Sequence, residues 1–191
     1  MAEVAAETAR LRLRTWDPDD EVRFYQIMNK PAVMRWLGGV QGRNEWNAGF
    51  ERLSGYQRDF GFTFWILERT SDGEILGFCG LKRANAPGAD RIAGEIEIGW
   101  RLREDAWGQG YAKEAAVASL DLAFGRFSAP RVVAVTAAGN DPSQGLMKRL
   151  GMTRRTDLDF TDKRFPIDSD VNPQVVFVIA AADWANAAEP R

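Results

Sequence analysis

The residues that most clearly suggest chemistry are two closely spaced glycines between a predicted strand and a predicted helix. Gly94–Leu102 alternates polar and apolar residues, which predicts a half-buried strand, and small apolar residues recur at helical spacing from Tyr111 onward. The connecting segment Trp107–Lys113 (WGQGYAK) is called the glycine-rich loop below. Glycines let backbone N–H groups approach a ligand, and a helix N-terminus adds unpaired N–H donors with partial positive charge. The pattern therefore predicts a phosphate-binding loop.

Two better-known phosphate-binding loops do not fit this segment. The Walker loop ends in Gly-Lys-Ser or Gly-Lys-Thr, and neither tripeptide occurs in the chain. The dinucleotide-binding fingerprint needs a third glycine where this chain has Lys113. A tight strand–helix turn, in which the glycines serve packing alone, is the other interpretation.

The absence of histidine narrows the chemistry. The chain contains no histidine, which excludes Ser-His-Asp and Cys-His hydrolases and every zinc site that uses histidine. Its single cysteine, Cys79, lies among apolar residues and is interpreted as a core residue rather than a nucleophile. Carboxylates, hydroxyls, backbone amides or a bound cofactor must then carry the reaction.

Length and charge indicate an ordinary globular protein. The 191 residues favour one domain with a sizeable core, and a net charge of −2 gives no indication of nucleic-acid binding. No apolar run has the length of a membrane span, and the N-terminal residues do not resemble a signal peptide. A single cysteine excludes an internal disulfide and favours the reducing cytoplasm.

The order of predicted elements indicates an α+β fold around a mixed sheet. Ala9–Thr15 is predicted as the first strand, followed by helices rich in aromatic residues and then by three strands. A helix, a fully buried strand at Arg131–Thr136, and a short helix capped by Asp141 follow. Two strands, Met152–Phe160 and Gln174–Ala181, close the fold, and the tail from Asp183 is expected to fray.

Three segments occur in this order along the chain: Glu7–Arg14 (ETARLRLR), Glu97–Trp100 (EIGW) before the glycine-rich loop, and Asn140–Met152 (NDPSQGLMKRLGM). Together with the loop they resemble the GCN5-related N-acetyltransferase (GNAT) family, in particular its RimJ/RimL-like branch of ribosomal-protein N-acetyltransferases. Gly110 and Ala112 match the last fixed positions of the family's pyrophosphate loop, whereas Trp107 replaces its usual arginine or glutamine.

The resemblance implies a fold and an activity. The fold would be a mostly antiparallel mixed sheet flanked by helices and splayed between its fourth and fifth strands. Residues 1–191 would form one N-acetyltransferase domain, with acceptor-side helices at about 17–60 and an acetyl-CoA-binding core at about 94–152. Such an enzyme transfers an acetyl group from acetyl-CoA to a primary amine, either a protein N-terminus or a small amine, without a metal. Dimerisation is expected from the family and from 7 tryptophans that look exposed.

The resemblance also implies where acetyl-CoA binds. The loop would hold the pyrophosphate through backbone donors, and the central strand would offer free N–H groups to the pantetheine chain and to the reacting carbonyl. Asn140 and Ser143 would bind acetyl-CoA nearby. The residues assigned to acetyl-CoA are Trp100, Arg101, Leu102, Trp107, Gly108, Gln109, Gly110, Tyr111, Ala112, Lys113, Asn140 and Ser143.

Two catalytic roles remain to be assigned. An amine attacks only when neutral, so a base is needed, and Glu95 and Glu97 project from one face of the central strand. Glu97 is favoured because it adjoins the Ile-Gly-Trp signature, although both glutamates could simply face solvent. The family's usual tyrosine acid is replaced by Met147, so Ser143 is the candidate proton donor to the leaving thiolate, or else only a residue of the helix's first turn.

Two other functions are compatible with the sequence. The missing tyrosine and histidine would suit a catalytically idle acyl-CoA-binding sensor or interaction domain. A structural domain that binds no acetyl-CoA is the third hypothesis. The identity of the acceptor cannot be deduced from these residues.

Overall fold

The fold is built on one mixed sheet. The structure is a computed structural model that describes residues 2–186. Within that range, the strand order in the sheet is β1-β2-β3-β4-β5-β6-β8-β7. The strands are β1 (Val4–Glu7), β2 (Leu11–Arg14), β3 (Phe64–Arg69), β4 (Ile75–Arg83), β5 (Ile96–Leu102), β6 (Arg131–Ala137), β7 (Thr153–Arg154) and β8 (Gln174–Ala180).

The helices follow the predicted order. They are α1 (Asp20–Met28), α2 (Pro31–Met34), α3 (Arg43–Phe60), α4 (Tyr111–Phe124), α5 (Asp141–Arg149) and α6 (Ala181–Asn186). Within residues 2–186 no helix has the length and apolar character that a membrane span needs.

The parallel pairing in the sheet joins β5 and β6. Their ladder pairs Ile96–Ile98 with Val132–Ala134, and among the described residues the ladder does not extend to the last four residues of β5. The pairs β1–β2, β2–β3, β3–β4, β6–β8 and β7–β8 are antiparallel. The predicted α+β fold with a mostly antiparallel sheet is confirmed, and β5 and β6 are the predicted fourth and fifth strands.

The chain groups into two compact units. The first contains the residues up to Lys82 together with Gly99–Ser119, and the second contains Arg83–Ile98 and the residues from Leu120 onward. Strand β5 and helix α4 contribute residues to both units. The expected single-domain organisation stays a prediction.

The core of the first unit is an aromatic cluster. Helices α1 and α3 bury Phe24 and Trp46, while β3 and β4 contribute Phe64 and Phe78. The rings of Phe64 and Phe78 stack with centroids 4.9 Å apart. Each fully buried ring of this size contributes about 1.5–3 kcal/mol to folding, so the aromatic residues of the first third hold the helices on the sheet.

Two glycines of β4 let neighbouring backbone segments approach closely. A Cβ atom on Gly77 would lie 2.1 Å from the carbonyl oxygen of Arg101 in β5. One on Gly80 would lie 2.2 Å from the carbonyl oxygen of Thr63. Because no side chain fits in that space, β4 requires glycine at both positions.

The core of the second unit is centred on β6. Val132, Val133 and Ala134 are completely buried, as predicted for a strand covered on both faces. β6 pairs with β8 along its whole length, from Arg131 with Ala180 to Ala137 with Gln174.

The ends of the chain differ from the sequence-based predictions. Strand β1 was not predicted, and the predicted strand Met152–Phe160 contains only the two residues of β7, followed by a turn in which Arg154 binds Asp159. The tail forms α6, because buried Trp184 donates a hydrogen bond from Nε1 to Asp121 Oδ1 at 2.9 Å. The rest of the predicted frayed tail, residues 187–191, lies outside the described residues.

Candidate active site

The glycine-rich loop has a backbone that only glycine adopts easily. Gly108 and Gly110 have φ angles of +71° and +83°, and α4 begins at the next residue, Tyr111. A Cβ atom on Gly108 would meet nothing within 4 Å, and one on Gly110 would meet only the end of the Arg10 side chain, at 3.4 Å. Backbone conformation, rather than crowding, therefore explains these glycines. Packing alone does not require them.

The loop is tied to β5 by its tryptophan. Trp107 Nε1 donates a hydrogen bond to the carbonyl oxygen of Leu102 at 2.8 Å, while the side chain of Gln109 donates to the carbonyl oxygen of Asp105 at 2.7 Å. Trp107 is 48% exposed. The residue that replaces the family's usual arginine or glutamine thus fastens the loop to the strand.

A polar cluster outside the predicted site also supports the loop. Arg10 Nη1 donates to the carbonyl oxygen of Gln109 at 3.0 Å, and the Arg10 guanidinium lies 4.5 Å from the Tyr111 ring centroid. Glu114, in the first turn of α4, accepts from Arg10 Nε at 2.7 Å and from Thr8 Oγ1 at 2.6 Å. Burial by itself raises the pKa of Glu114, but the hydrogen bonds from Thr8 and Arg10 outweigh it, so the pKa is lower than usual.

The cluster leads to a prediction about stability. Glu114→Gln is expected to lower the free energy of unfolding by about 1–2 kcal/mol at pH 7, since it removes a charged acceptor that is partly screened by solvent. Because the folded-state pKa is lowered, this stabilisation is present above the ordinary carboxyl pKa and is lost as pH falls through the folded value. Denaturant unfolding at pH 7 and near pH 3 would measure it, with exposed Glu51→Gln as control. An equal deficit at both pH values would contradict the prediction.

The backbone of β5 separates the predicted N–H donors into two groups. The carbonyl oxygen of Arg101 faces Gly77, and the N–H of Arg103 donates to Leu76 at 2.8 Å, so both residues direct their backbone groups toward β4. Backbone direction alternates along a strand, so Trp100 and Leu102 direct theirs toward the opposite edge. The N–H group of Arg101 therefore points toward β4, whereas the N–H groups of Trp100 and Leu102 point toward the other edge of β5.

The two candidate bases have different surroundings. Both oxygens of Glu95 bind Arg131, with Oε2 accepting from Nε at 2.6 Å and Oε1 accepting from Nη2. The hydrogen bonds that Arg131 donates to Glu95 raise the pKa of Arg131. Glu97 lies in β5 opposite Val133 and is partly exposed. Both carboxylate oxygens of Glu95 are therefore engaged in an ion pair, which the sequence did not predict.

The asparagine–serine motif forms the start of α5. Asn140, rather than the predicted Asp141, is the N-cap, and its side-chain oxygen accepts from the Ser143 N–H at 3.4 Å. The Asn140 amide also donates to Ser143 Oγ at 3.1 Å and to Thr136 Oγ1 at 2.9 Å. Because Ser143 Oγ accepts from Asn140, its hydroxyl proton is directed to another acceptor. Met147 is buried, with 2% of its surface exposed, and belongs to the core.

The structure explains the remaining candidates. Cys79 is buried 3.6 Å from Ser119 Oγ, and burial raises the pKa of its thiol to about 12, which makes it a core residue as predicted. Within residues 2–186 no group of three or more histidine, cysteine, aspartate and glutamate residues could hold a metal ion. Sequence reasoning missed Thr8, Arg10 and Glu114, although the Glu7–Arg14 motif had already drawn attention to the first two.

Comparison with known proteins identifies the class. Residues 10–153 match the family model described as the Acetyltransferase (GNAT) domain. Because this match covers most of the chain, the protein belongs to the GNAT family of acetyltransferases and is an acyltransferase.

Relatives and solved structures agree with this assignment. The chain is 32% identical over 183 residues to the uncharacterized N-acetyltransferase YnaD of Bacillus subtilis, covering 93% of this chain and 97% of YnaD. An acetyltransferase structure from Agrobacterium tumefaciens superimposes with a TM-score of 0.73 at 26% identity, covering 91% and 92% of the two chains. RimL, a ribosomal alpha-N-protein acetyltransferase solved with coenzyme A, superimposes with a TM-score of 0.72 at 16% identity, covering 93% and 98%, and shows the same fold.

Proposed function

We propose that this acetyltransferase moves the acetyl group of acetyl-CoA directly to a primary amine, on a protein N-terminus or a small molecule. The observation that carries the proposal is the glycine-rich loop, in which Gly108 and Gly110 adopt positive φ angles immediately before α4. A loop of this shape, with an exposed surface at a helix N-terminus, suits a pyrophosphate group.

Acetyl-CoA binding uses mostly backbone donors. The N–H groups of Gln109, Gly110, Tyr111, Ala112 and Lys113 receive the pyrophosphate, while Trp107 and Gly108 shape the loop. Asn140 keeps its proposed contact with acetyl-CoA in addition to capping α5. The Arg10 and Glu114 cluster holds the loop in place before the ligand arrives.

Stabilisation of the reacting carbonyl falls to β5. The N–H groups of Trp100 and Leu102 are directed away from β4, whereas the Arg101 backbone faces Gly77. Trp100 and Leu102 are therefore the proposed donors to the tetrahedral oxyanion and to the pantetheine amides.

Proton transfer requires a base and a donor. Glu97 accepts the proton of the incoming ammonium group, directly or through water, and Glu95 is its alternative. Ser143 donates a hydrogen bond to the departing thiolate, which has a pKa near 8.5 and needs little further assistance.

Release of free CoA thiol from acetyl-CoA, measured against a broad panel of amines, tests the function. Amine-dependent thiol release supports the transferase. Binding of acetyl-CoA in calorimetry without turnover on any amine would instead favour an acyl-CoA sensor, for which the buried Met147 in place of an acid is the supporting observation.

Two further expectations concern the protein in the cell. A cytoplasmic location is proposed from the single cysteine.

A homodimer is proposed from the family alone. The tryptophans no longer support it, because Trp107 is the only exposed tryptophan among residues 2–186. Sedimentation at tens of micromolar protein is expected to show a dimer, and a monomer at that concentration would reject it.

A further inference from the structure

Among residues 2–186, the side chain of Arg101 has no anionic partner. It projects from β5 into the aromatic cluster, where its guanidinium carbon lies 4.7 Å from the Phe78 ring centroid and 5.6 Å from that of Trp46. Within residues 2–186 its side chain makes one hydrogen bond, from Nη1 to Met34 Sδ at 2.9 Å. Its Nε atom is buried with no partner among those residues.

This environment is costly for a positive charge. A thioether is a weak acceptor, and the two aromatic faces compensate only part of the lost hydration. Burial lowers the pKa of Arg101 to about 10. Arg101 as a whole keeps some exposed surface, whereas its Nε atom is buried.

Two other arginines of the same compact unit are paired with carboxylates. Arg14, also partly buried, binds Asp20 at 2.7 Å and Glu68 at 2.9 Å. Arg103, two residues after Arg101, binds Glu74 and Asp105. In the described part of the chain, Arg14 and Arg103 thus have carboxylate partners and Arg101 has none, which indicates that its partner comes from elsewhere.

We propose that Arg101 binds a carboxylate of the amine acceptor, so that the enzyme acts on amines that carry a carboxylate, such as amino acids. This inference rests on the proposed function and names the substrate class of that site. Nη1 already contacts Met34 and Nε is buried, which leaves Nη2 as the guanidinium nitrogen that donates to the carboxylate.

The chemistry of acetyl-CoA excludes it as the source of this anion. Its negative charges are phosphates, which the glycine-rich loop is proposed to receive, and its thioester end is neutral. Arg101 lies between Trp100 and Leu102, the proposed donors to that thioester. An anion bound by Arg101 beside the reacting carbonyl therefore belongs to the second substrate.

The aromatic surroundings favour a specific ion pair. Phe78 and Trp46 restrict water around the guanidinium, and an ion pair is stronger where water is excluded. An acceptor without the carboxylate would leave the buried cation unpaired. Such a site rejects the analogue that lacks its charged group.

Matched pairs of amines test the proposal. Each pair differs only in the carboxylate: an α-amino acid against its amide, aspartate against asparagine, and glutamate against glutamine. In the pair that removes the carboxylate bound by Arg101, the carboxylate form is expected to have a kcat/KM about 10- to 100-fold higher, the range for one charged hydrogen-bonded contact. The first pair reports an α-carboxylate and the other two report a side-chain carboxylate.

Variants connect the preference to Arg101. Arg101→Met retains length and apolar character, so it should fold with an unchanged or higher melting temperature while losing the preference between pair members. Arg101→Lys keeps the positive charge but lacks the planar guanidinium, so it should show part of the wild-type preference for the carboxylate form. Arg58→Met, on the exposed surface of α3, removes the same net charge and should keep the preference.

The outcomes separate this inference from the proposed function. Thiol release that is equal for carboxylate and amide amines, and unaffected by Arg101→Met, overturns the inference and leaves the acetyltransferase intact. If no amine is turned over, the proposed function fails, and calorimetry of the same amine pairs on the CoA-saturated protein decides the inference. Tighter binding of the carboxylate form that is lost in Arg101→Met supports it, and equal binding of both forms refutes it.

Discussion

Replacing Glu97 by glutamine is expected to lower kcat by about 10²- to 10⁴-fold at neutral pH, the usual loss when a general base is removed. Glutamine keeps the size and most of the hydrogen bonding of glutamate but cannot accept the ammonium proton. The affinity for acetyl-CoA should change little. Steady-state kinetics together with calorimetric titration of acetyl-CoA would separate the two quantities.

The pH dependence makes this prediction more specific. An α-amino group has a pKa of about 8, so above that pH the amine is increasingly neutral and needs no base. The deficit of Glu97→Gln should therefore shrink as pH rises from 7 to 9.5. A deficit that stays constant over this range would indicate a structural role for Glu97 instead.

Glu95→Gln is the matched control on the same strand. Both oxygens of Glu95 bind Arg131, so this substitution should cost stability while leaving kcat within a few fold of the wild type. If instead Glu95→Gln shows the pH-dependent loss and Glu97→Gln remains active, the base is Glu95. Full activity of both variants would assign the proton to water or to the acceptor.

The second large effect is expected at Gly110. Gly110→Val should weaken acetyl-CoA binding by at least 100-fold, because a β-branched residue is strained at a φ of +83° and its side chain would hold the pyrophosphate away from the backbone N–H groups. Calorimetry with acetyl-CoA measures the affinity, and circular dichroism confirms that the variant is folded.

A second glycine controls for backbone strain. Gly73 lies in the β3–β4 turn with a φ of +72° and open space around a Cβ atom, so Gly73→Val introduces similar strain outside the proposed binding loop. Both variants should lose stability, but only Gly110→Val should lose acetyl-CoA affinity. Wild-type affinity in folded Gly110→Val would refute the pyrophosphate loop.

Local sequence patterns predicted several of the strands and helices correctly. The alternation of Gly94–Leu102 and the apolar run at Arg131–Thr136 predicted β5 and β6, and the small residues after Tyr111 predicted α4. These predictions succeed because strand and helix periodicity, and the left-handed conformation of glycine, are properties of neighbouring residues. The fold class and the family followed from the order of such segments.

Tertiary structure decided which polar groups meet. Glu114 binds Thr8 across 106 positions of sequence, Glu95 binds Arg131 across 36, and Arg101 contacts Met34 across 67. The periodicity of apolar residues along the sequence does not predict such contacts, because they depend on how the helices and strands pack once the chain has folded. The sequence offered Glu95 and Glu97 as candidate bases and Arg101 as a residue of the acetyl-CoA site. Only the packing showed that Glu95 binds Arg131 and that, within residues 2–186, Arg101 has no carboxylate partner.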